Sequence, residues 1–454
     1  MHPAIVRAIV FPLQEFAKGK PTLARLIELE KSQWLSCEQI RALQLERLRQ
    51  LLSFSYTQVP YYRELFDEHQ IVPERIRSLN DFSRIPTLEK AVIRSQFNDL
   101  QPQQLPRRVQ KMSTGGSTGS PVTILVDSER AAFTDAARMR AHRWYHAYMG
   151  EHEIVLWGSP IELGGQGIIK DLRDRLMNSR LLSAFDMSEK RMRAYGEYIA
   201  RYRPVKMYGY ASALYLLAAF LKKSGWKCPQ GLKVIFATAE PLFDFQRRTV
   251  EEVFECSVSA EYGARDAGLM ANECPQGGSH IPAEGMLIEI DSSAAGGPGE
   301  IIATNLFSKA MPIIRYRTGD IGELDHNPCA CGRGLPRLKR VQGRQTDFLV
   351  TPSGKIVHAL AIIYAIREMP AIKEFQVLQD ELMHVLIRVV TTPAFSNVDR
   401  ERLLAKANIA LGEGMRISLE IVSEIPRSAS GKFRYVISKA AESRVGFFAE
   451  AHES

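Results

Sequence analysis

The sequence predicts an α/β protein with an α+β appendage: a large N-terminal domain of helix-covered, mostly parallel sheet with a small barrel-like β part, followed by a smaller C-terminal α+β domain. Three observations predict it. From about residue 108, short apolar runs (Ile154-Val155-Leu156-Trp157, Val205-Lys206-Met207-Tyr208, Val234-Ile235-Phe236-Ala237) alternate with amphipathic helical stretches at 128–149, 188–201 and 244–254. That alternation is the pattern of βα units covering a parallel sheet. Between about 285 and 325 the helices stop and strands follow one another, Met286 to Ile290, Glu300 to Thr304 and Ile313 to Arg317, as in an antiparallel sheet or barrel. Beyond Gly343-Arg344-Gln345-Thr346-Asp347 the order becomes helix (359–368), two strands around Asp380-Glu381, helix (398–411), strand (417–422) and a polar loop. The expected boundary divides 1–345 from 346–454.

Residues 20–100 read as helices joined by polar connections, punctuated by Tyr61-Tyr62 and Pro86-Thr87-Leu88-Glu89-Lys90. A chain of 454 residues at about 150 per domain has room for two to three domains. With 45% hydrophobic and 24% charged residues it is an ordinary globular chain, which excludes collagen-like, disordered and coiled-coil classes. The 59 basic and 51 acidic side chains leave a net charge of +8, spread along the chain, a balance that suits anionic small molecules as well as nucleic acid. The longest nearly apolar stretch, Ala211 to Leu221, falls short of the roughly 18–20 residues a bilayer-spanning helix needs. Met1-His2-Pro3-Ala4-Ile5-Val6-Arg7 lacks the features of a signal peptide, so a cytoplasmic protein with no membrane partner is expected.

The arginines Arg191, Arg193, Arg201 and Arg203 interleave with Tyr195, Tyr198 and Tyr202 at helical spacing. This reads as a solvated face beside a core stripe, with no nucleic-acid partner. His142 and His146 lack the intervening Glu and the third ligand of a metal helix and read as structural.

The sharpest local signal is Ser113-Thr114-Gly115-Gly116-Ser117-Thr118-Gly119-Ser120-Pro121, between two expected strands. Glycines let backbone N–H groups approach an anion, and hydroxyls add donors without countercharge, so the loop suits phosphate. It is not a Walker A loop, because no Gly-Lys-Ser/Thr follows. Tyr262-Gly263-Ala264-Arg265-Asp266 and Arg315-Tyr316-Arg317-Thr318-Gly319-Asp320 each place a carboxylate at a strand end, where it can meet a metal-phosphate complex or ribose hydroxyls. Ser428-Ala429-Ser430-Gly431-Lys432 places a lysine in a loop near the C-terminal end. Cys274 and His280 form a C-x5-H pair, and Cys329 and Cys331 a C-x-C pair. Three thiolates and an imidazole match a closed, structural zinc site. The remaining cysteines, Cys37, Cys228 and Cys256, are expected to be packed thiols.

In this order the motifs resemble the adenylate-forming superfamily of acyl-CoA synthetases. Within it they are similar to the phenylacetate-CoA ligase branch, and to the members found in capsular-polysaccharide biosynthesis clusters. The resemblance extends to Val59-Pro60-Tyr61-Tyr62, Tyr208-Gly209-Tyr210-Ala211-Ser212 and Ala239-Glu240-Pro241-Leu242, and covers essentially the whole chain. It implies that the 113–121 loop closes on the ATP phosphates and that Ala239, Glu240, Pro241, Tyr262 and Gly263 surround the adenine. It further implies that Asp266 helps hold magnesium, that Asp320 with Arg344 grips the ribose, and that Lys432 is the catalytic lysine at the α-phosphate. Trp157, Tyr208, Tyr210 and Ala264 are expected to line the acid pocket, and their aromatic character favours an aryl or other apolar acid. A similar Cys/His set occurs in that branch. Asp266 replaces a usual Glu, Ser120 a frequent Lys and Thr346 a hinge Asp.

The implied activity is ATP-dependent, AMP-forming ligation of a carboxylic acid to a thiol, with ATP, magnesium and coenzyme A as cofactors and zinc as a structural ion. Transfer to a carrier-protein thiol or an amine is the alternative acceptor, and a zinc-stabilised non-catalytic binding protein is the alternative of another class. A homodimer is compatible with this reading.

Overall fold

A computed structural model describes the chain except residues 114–121, 158–166, 185–186, 188, 293–296, 345–347, 353–355, 359–361, 364–365, 367–368, 413, 427–433 and 441–454, with backbone only at some further positions, Arg344 among them. The chain divides into two compact units: Met1–Thr318 with Gly322–Val341, and Gly319–Ile321 with Gln342–Ser454.

The first unit opens with helices, of which the longest, Cys37–Gln58, begins in a capping box: Ser36 Oγ accepts from Gln39 N at 3.2 Å and Gln39 Oε1 accepts from Ser36 N at 2.9 Å. A hairpin of β1 (Val109–Ser113) and β2 (Thr123–Asp127) follows. The apolar runs then form β3 (Glu153–Trp157), β4 (Ser179–Ser183), β5 (Lys206–Tyr210), β6 (Val234–Thr238) and β7 (Ser257–Ala264), all parallel to their neighbours in the order β4-β3-β5-β6-β7. The expected helices connect or cover them as Ser128–Trp144, Glu189–Tyr202, Ala211–Lys223 and Asp244–Phe254. On Glu189–Tyr202 the arginines face solvent while Tyr195 is buried, as the helical spacing requires.

Of the antiparallel sheet or barrel expected as an appendage to the core, the structure forms the sheet, and it extends the parallel one. Beyond β7 come β8 (Gly268–Glu273), β9 (Ser279–His280), β13 (Arg337–Arg344), β12 (Ile313–Asp325), β11 (Gly299–Asn305) and β10 (Met286–Asp291), giving eleven strands. The pairings β7/β8, β8/β9, β9/β13 and β10/β11 are antiparallel, so the sheet changes from parallel to antiparallel at β7. Where no crossover helix intervenes, successive strands pair as hairpins, which is why the helices stop where the pattern changes.

Side-chain alternation sorts the parallel strands onto two cores. Ile154, Leu156, Met207, Ile235 and Ala237 pack with Leu214, Leu217 and Phe254 on one face. Val234 and Phe236 lie on the other with Ala141, Trp144 and Tyr145 of the 128–145 segment. No helix among the described residues is long and apolar enough to cross a membrane.

In the second unit a four-stranded sheet runs β18 (Arg416–Ile421), β17 (His384–Thr391), β16 (Ile372–Glu381), β19 (Val436–Ser438), alongside a hairpin of β14 (Phe348–Val350) and β15 (Ile356–His358). Helix Asn397–Leu411 buries Leu403, Ala407 and Leu411. Gln379 is fully buried and joins the pieces: its Oε1 accepts from Val350 N at 2.9 Å and Ser438 Oγ at 2.9 Å, and its Nε2 donates to Val350 O at 2.8 Å. The chain leaving the Lys432 loop is held to β16 by Gln376 Nε2 donating to Arg434 O at 3.0 Å and Val377 N donating to Tyr435 O at 2.8 Å.

Candidate functional site

The parallel strands deliver the expected acid-pocket and adenine residues at one edge. β3 ends on Trp157, β5 on Tyr210, β6 on Thr238 just before Ala239-Glu240-Pro241, and β7 on Tyr262-Gly263-Ala264. In open α/β sheets the carboxyl ends of the strands are where ligands bind. The register places Tyr208 opposite Phe236 and Thr238 opposite Glu261, so these side chains share one face, while Tyr210, opposite Thr238, packs with the core on the other. Trp157 stacks on Tyr210 with centroids 4.1 Å apart and tilts against Tyr208 at 5.8 Å.

Beneath this aromatic group lies a polar network with no sequence signal of its own. Tyr208 OH donates to Glu261 Oε1 at 2.6 Å, and Arg138 grips the same carboxylate twice, through Nε at 2.8 Å and Nη2 at 3.0 Å. Asn272 Nδ2 and Thr238 Oγ1 complete it at 3.3 Å and 3.4 Å. Burial alone would raise the Glu261 pKa, but the Arg138 charge and these donors hold it below the usual carboxylate range. Burial pushes the Tyr208 phenol upward, so it stays a neutral donor. Arg138 is one of several arginines on its helix, and only the packing of that helix on the sheet selects it.

Two hydrogen bonds tie four of the motifs together in pairs. Glu240 accepts from Ser212 N at 2.9 Å, joining the Ala-Glu-Pro turn to the helix that follows Tyr208-Gly209-Tyr210. Ala239 holds a left-handed φ of 66°, a strained conformation for a residue with a Cβ and a kind of strain that clusters at functional turns. Arg265 Nη1 donates to Ser113 O at 3.3 Å, bringing the root of the Ser/Gly/Thr loop to Tyr262-Gly263-Ala264-Arg265. Thr114, Gly115, Gly116, Ser117, Thr118 and Gly119 lie outside the described residues, as does Lys432. Asp320 is half-buried in β12 after Gly319, and Arg344 closes β13; both fall in the second unit.

Asp266 is turned inward. Its Oδ2 accepts from Tyr316 OH at 2.5 Å, its Oδ1 from Ala267 N at 3.1 Å, and the residue is 6% exposed. The buried Arg130 lies beneath it, with Nη2 donating to Asp266 O at 2.6 Å. Burial lowers the Arg130 pKa to about 10, opposed by the charges of Asp127 and Asp266. A carboxylate so engaged fits the support of the turn, and it does not fit a ligand of magnesium in this arrangement.

The Cys/His set does converge. Ligand atoms of Cys274, His280, Cys329 and Cys331 lie within 4.8 Å of one another, with Cys274 Sγ 3.7 Å from Cys329 Sγ and His280 Nε2 3.2 Å from Cys331 Sγ. Cys274, His280 and Cys329 are buried. His280 Nδ1 lies 3.3 Å from Leu335 O, the outer-shell bond that leaves Nε2 bare toward the thiols. Burial lowers the His280 pKa to about 4, keeping the imidazole in its ligating form. A Cβ on Gly278 would stand 2.6 Å from Cys329 Sγ, so only glycine allows that thiol its place. Three sulfurs and one nitrogen without carboxylate fit zinc, which these four residues would hold in a closed site. The other cysteines differ: Cys228 and Cys256 are half-buried, but Cys37 is exposed rather than packed, its thiol donating to Gly334 O at 3.4 Å.

A CapK C-terminal domain model matches residues 349–439. The chain is 28% identical over 441 residues to a phenylacetate-coenzyme A ligase of Thermus thermophilus, covering 88% of this chain and 96% of that one. It is 23% identical to the protein CapK of Staphylococcus aureus over 416 residues, 88% of this chain and 90% of the other. Among solved structures it is similar to a 2-hydroxyisobutyryl-CoA ligase in the postadenylation state with 2-HIB-AMP, at a TM-score of 0.73 and 19% identity over 94% of each chain. It is also similar to an anthranilate CoA ligase in complex with anthranoyl-AMP, at a TM-score of 0.55 and 16% identity over 83% of this chain and 77% of that one. The resemblance read from the motifs and the expected fold class both stand.

Proposed function

We propose that the chain is an ATP-dependent, AMP-forming ligase that activates a carboxylic acid as its acyl-adenylate and passes the acyl group to the thiol of coenzyme A. The observation that carries this reading is the convergence, at the carboxyl ends of adjacent parallel strands, of the Trp157–Tyr210 stack, the Ala239-Glu240-Pro241 turn and the Tyr262-Gly263-Ala264 end of β7, whose next residue, Arg265, bonds Ser113. An acid end walled by aromatic rings and a nucleotide end rimmed by tight turns are the two halves such chemistry needs. The names of the relatives, phenylacetate-coenzyme A ligases among them, support it.

In the first step a carboxylate oxygen attacks the α-phosphorus of MgATP and pyrophosphate leaves. In the second a thiolate attacks the acyl carbon and AMP leaves. Lys432 places an ammonium where negative charge grows on the α-phosphoryl oxygens, and an interaction that strengthens in the transition state lowers the barrier. Asp320 and Arg344 hold the ribose, and the hydroxyls and amides of 113–119 the outgoing phosphates. Trp157, Tyr208 and Tyr210 favour an aryl or other apolar acid, with the Tyr208 hydroxyl fixed by Glu261 and Arg138 so that its ring is presented as a wall. Magnesium arrives with the nucleotide, and Asp266 serves the turn beneath it. Dependence on ATP and coenzyme A agrees with the cytoplasmic location expected from the sequence.

The test is a panel of carboxylic acids scored for pyrophosphate release and thioester formation, with and without coenzyme A. An aryl acid giving coenzyme-A-dependent thioester and AMP is the expected result. Pyrophosphate release with no thioester would transfer the assignment to a carrier-protein thiol or an amine, and no release with any acid would sink the ligase reading.

A further inference from the structure

The first helical run of the chain reverses the usual amphipathic arrangement. It passes from Pro3–Ile5 through a π-helical stretch, Val6–Val10, into Phe11–Lys18, and ends at Gly19 with φ 62°. Pro12 lacks an N–H and crowds the carbonyl four residues back, a strain that the widened π turn can absorb. Its buried residues are Val6, Phe11 and the carboxylate-bearing Glu15, which accepts a hydrogen bond from Thr22. Its exposed residues are Ala4, Ile5, Ala8, Ile9, Leu13, Phe16 and Ala17, all apolar. Ile5, Ile9, Leu13 and Phe16 recur at helical spacing and are 47%, 54%, 62% and 83% exposed. A single exposed leucine means nothing, but an uninterrupted apolar helix face marks an interaction surface.

What surrounds the strip identifies its occupant. Arg7 lies on the Met149 carbonyl and over the Tyr148 ring, and Arg108 on the Ala17 carbonyl, neither of them paired with a carboxylate among the described residues. Arg107 is exposed beside Leu105, itself 47% exposed. Helix Gly167–Leu176 is close by, since Asn178 bonds both N and O of Met1 and the Arg173 charge acts on Lys18. It adds the exposed Leu172 and Leu176, and its acids Asp171 and Asp174 are paired with Arg175 and Arg173. The helical run itself exposes no acid. Sixteen residues make a strip about 24 Å long and about 10 Å wide, on the order of 240 Å². A stable dimer needs about 800 Å² from each partner, so the strip alone is too small for a second copy. A narrow apolar strip with a basic margin suits a helix lying at a lipid surface.

We propose that residues 3–18 dock the protein on the surface of an anionic lipid bilayer, with Ile5, Ile9, Leu13 and Phe16 entering the headgroup boundary and Arg7, Arg107 and Arg108 facing the phosphates. The sequence pointed away from a membrane partner because no segment is long enough to span. Lying on a bilayer needs only one exposed apolar face, which becomes visible once the buried face is known.

The test uses the full-length protein with Leu13→Glu/Phe16→Glu, two exposed side chains whose replacement leaves the buried face intact. Wild-type protein is expected to sediment with vesicles of phosphatidylcholine containing about one-third phosphatidylglycerol, less with phosphatidylcholine alone and less at high salt. The variant should partition at least about 10-fold more weakly, with an unchanged melting temperature. Wild-type protein remaining in the supernatant, equal binding to both vesicle types, or equal binding by the variant would each overturn the proposal. So would a wild-type dimer that the variant dissociates, because a second copy would then own the face. None of these readouts depends on ligase activity.

Discussion

His142 shows what burial does to a titratable side chain in this core. It stacks on Phe236 with centroids 3.9 Å apart, and its Nδ1 meets Lys206 Nζ at 3.1 Å, a buried lysine that also pairs with Glu153 at 3.3 Å. Burial first, then the charges of Lys206 and Arg138, hold its pKa well below the ordinary value. Between that depressed value and about 6.5 the unfolded chain binds a proton that the folded chain refuses, so stability is full above about 6.5 and falls as pH drops. In zinc-loaded protein, melting temperature should therefore decline from pH 7.5 to 5.5, at up to about 1.4 kcal/mol per pH unit from this one group. His142→Gln should flatten that slope. An unchanged slope in the variant would assign the pH dependence elsewhere. Cys329 belongs to the same scale. Purified protein should carry one zinc per chain, and Cys329→Ala should lose it and melt lower; elemental analysis showing no zinc in the wild type would refute the site.

The loop that carries Cys329 and Cys331 also matters as an element, because of what it grips. Arg333 Nε donates to Gln33 Oε1 at 3.0 Å, Gly334 N to Gln33 O at 3.1 Å, and Trp144 Nε1 to Gln33 Oε1 at 2.9 Å. The Arg333 guanidinium lies 5.0 Å from the Trp34 ring centroid and 4.7 Å from that of Trp144. The loop after Cys331 thus pins the corner between helices Thr22–Ser32 and Cys37–Gln58 to the sheet. A Cβ on Gly334 would stand 1.9 Å from Leu35 O, a backbone atom that cannot step aside. Gly334→Ala should cost about 1–3 kcal/mol by overpacking while leaving the zinc content at one per chain. Denaturant unfolding with parallel metal analysis separates the two, and loss of zinc in this variant would show that the corner and the ion are one unit. Sequence reading paired the four ligands by chemistry, but it gave no hint that their loop clamps residues some 300 positions earlier.

At the scale of the whole molecule, the expected site residues are divided between the two units. Asp320, Arg344 and Lys432 fall in the smaller unit, whereas the aromatic wall and the turns around Ser113 fall in the larger. Under the proposed function, Lys432→Ala removes one ammonium aimed at the developing phosphoryl charge. Acyl-adenylate formation should fall about 100-fold or more, while thioester formation from supplied acyl-adenylate persists. Undiminished pyrophosphate exchange in the variant would remove Lys432 from the mechanism. A melting temperature equal to that of the wild type is expected alongside, so that the loss reads as chemistry and not as unfolding.

The sequence by itself determined the alternation of β3 to β7 with their helices, the Cys/His ligand set and the order of the turn motifs. Each is a local pattern, written in residue type and spacing, that any tertiary arrangement must respect. Only the tertiary structure decided that β8 to β13 continue the same sheet, because a strand's apolar pattern says which face is buried and leaves open which neighbour it pairs with. It also decided that Arg138 and not another arginine meets Glu261, and that Asp266 turns inward onto Tyr316, since both outcomes depend on elements far apart in the chain packing against one another. The exposed strip of residues 3–18 belongs to the same class. An apolar stripe in sequence predicts a buried face, and here Val6, Phe11 and Glu15 were packed inward instead, leaving Ile5, Ile9, Leu13 and Phe16 on the surface because exposure is a property of the neighbours and not of the helix.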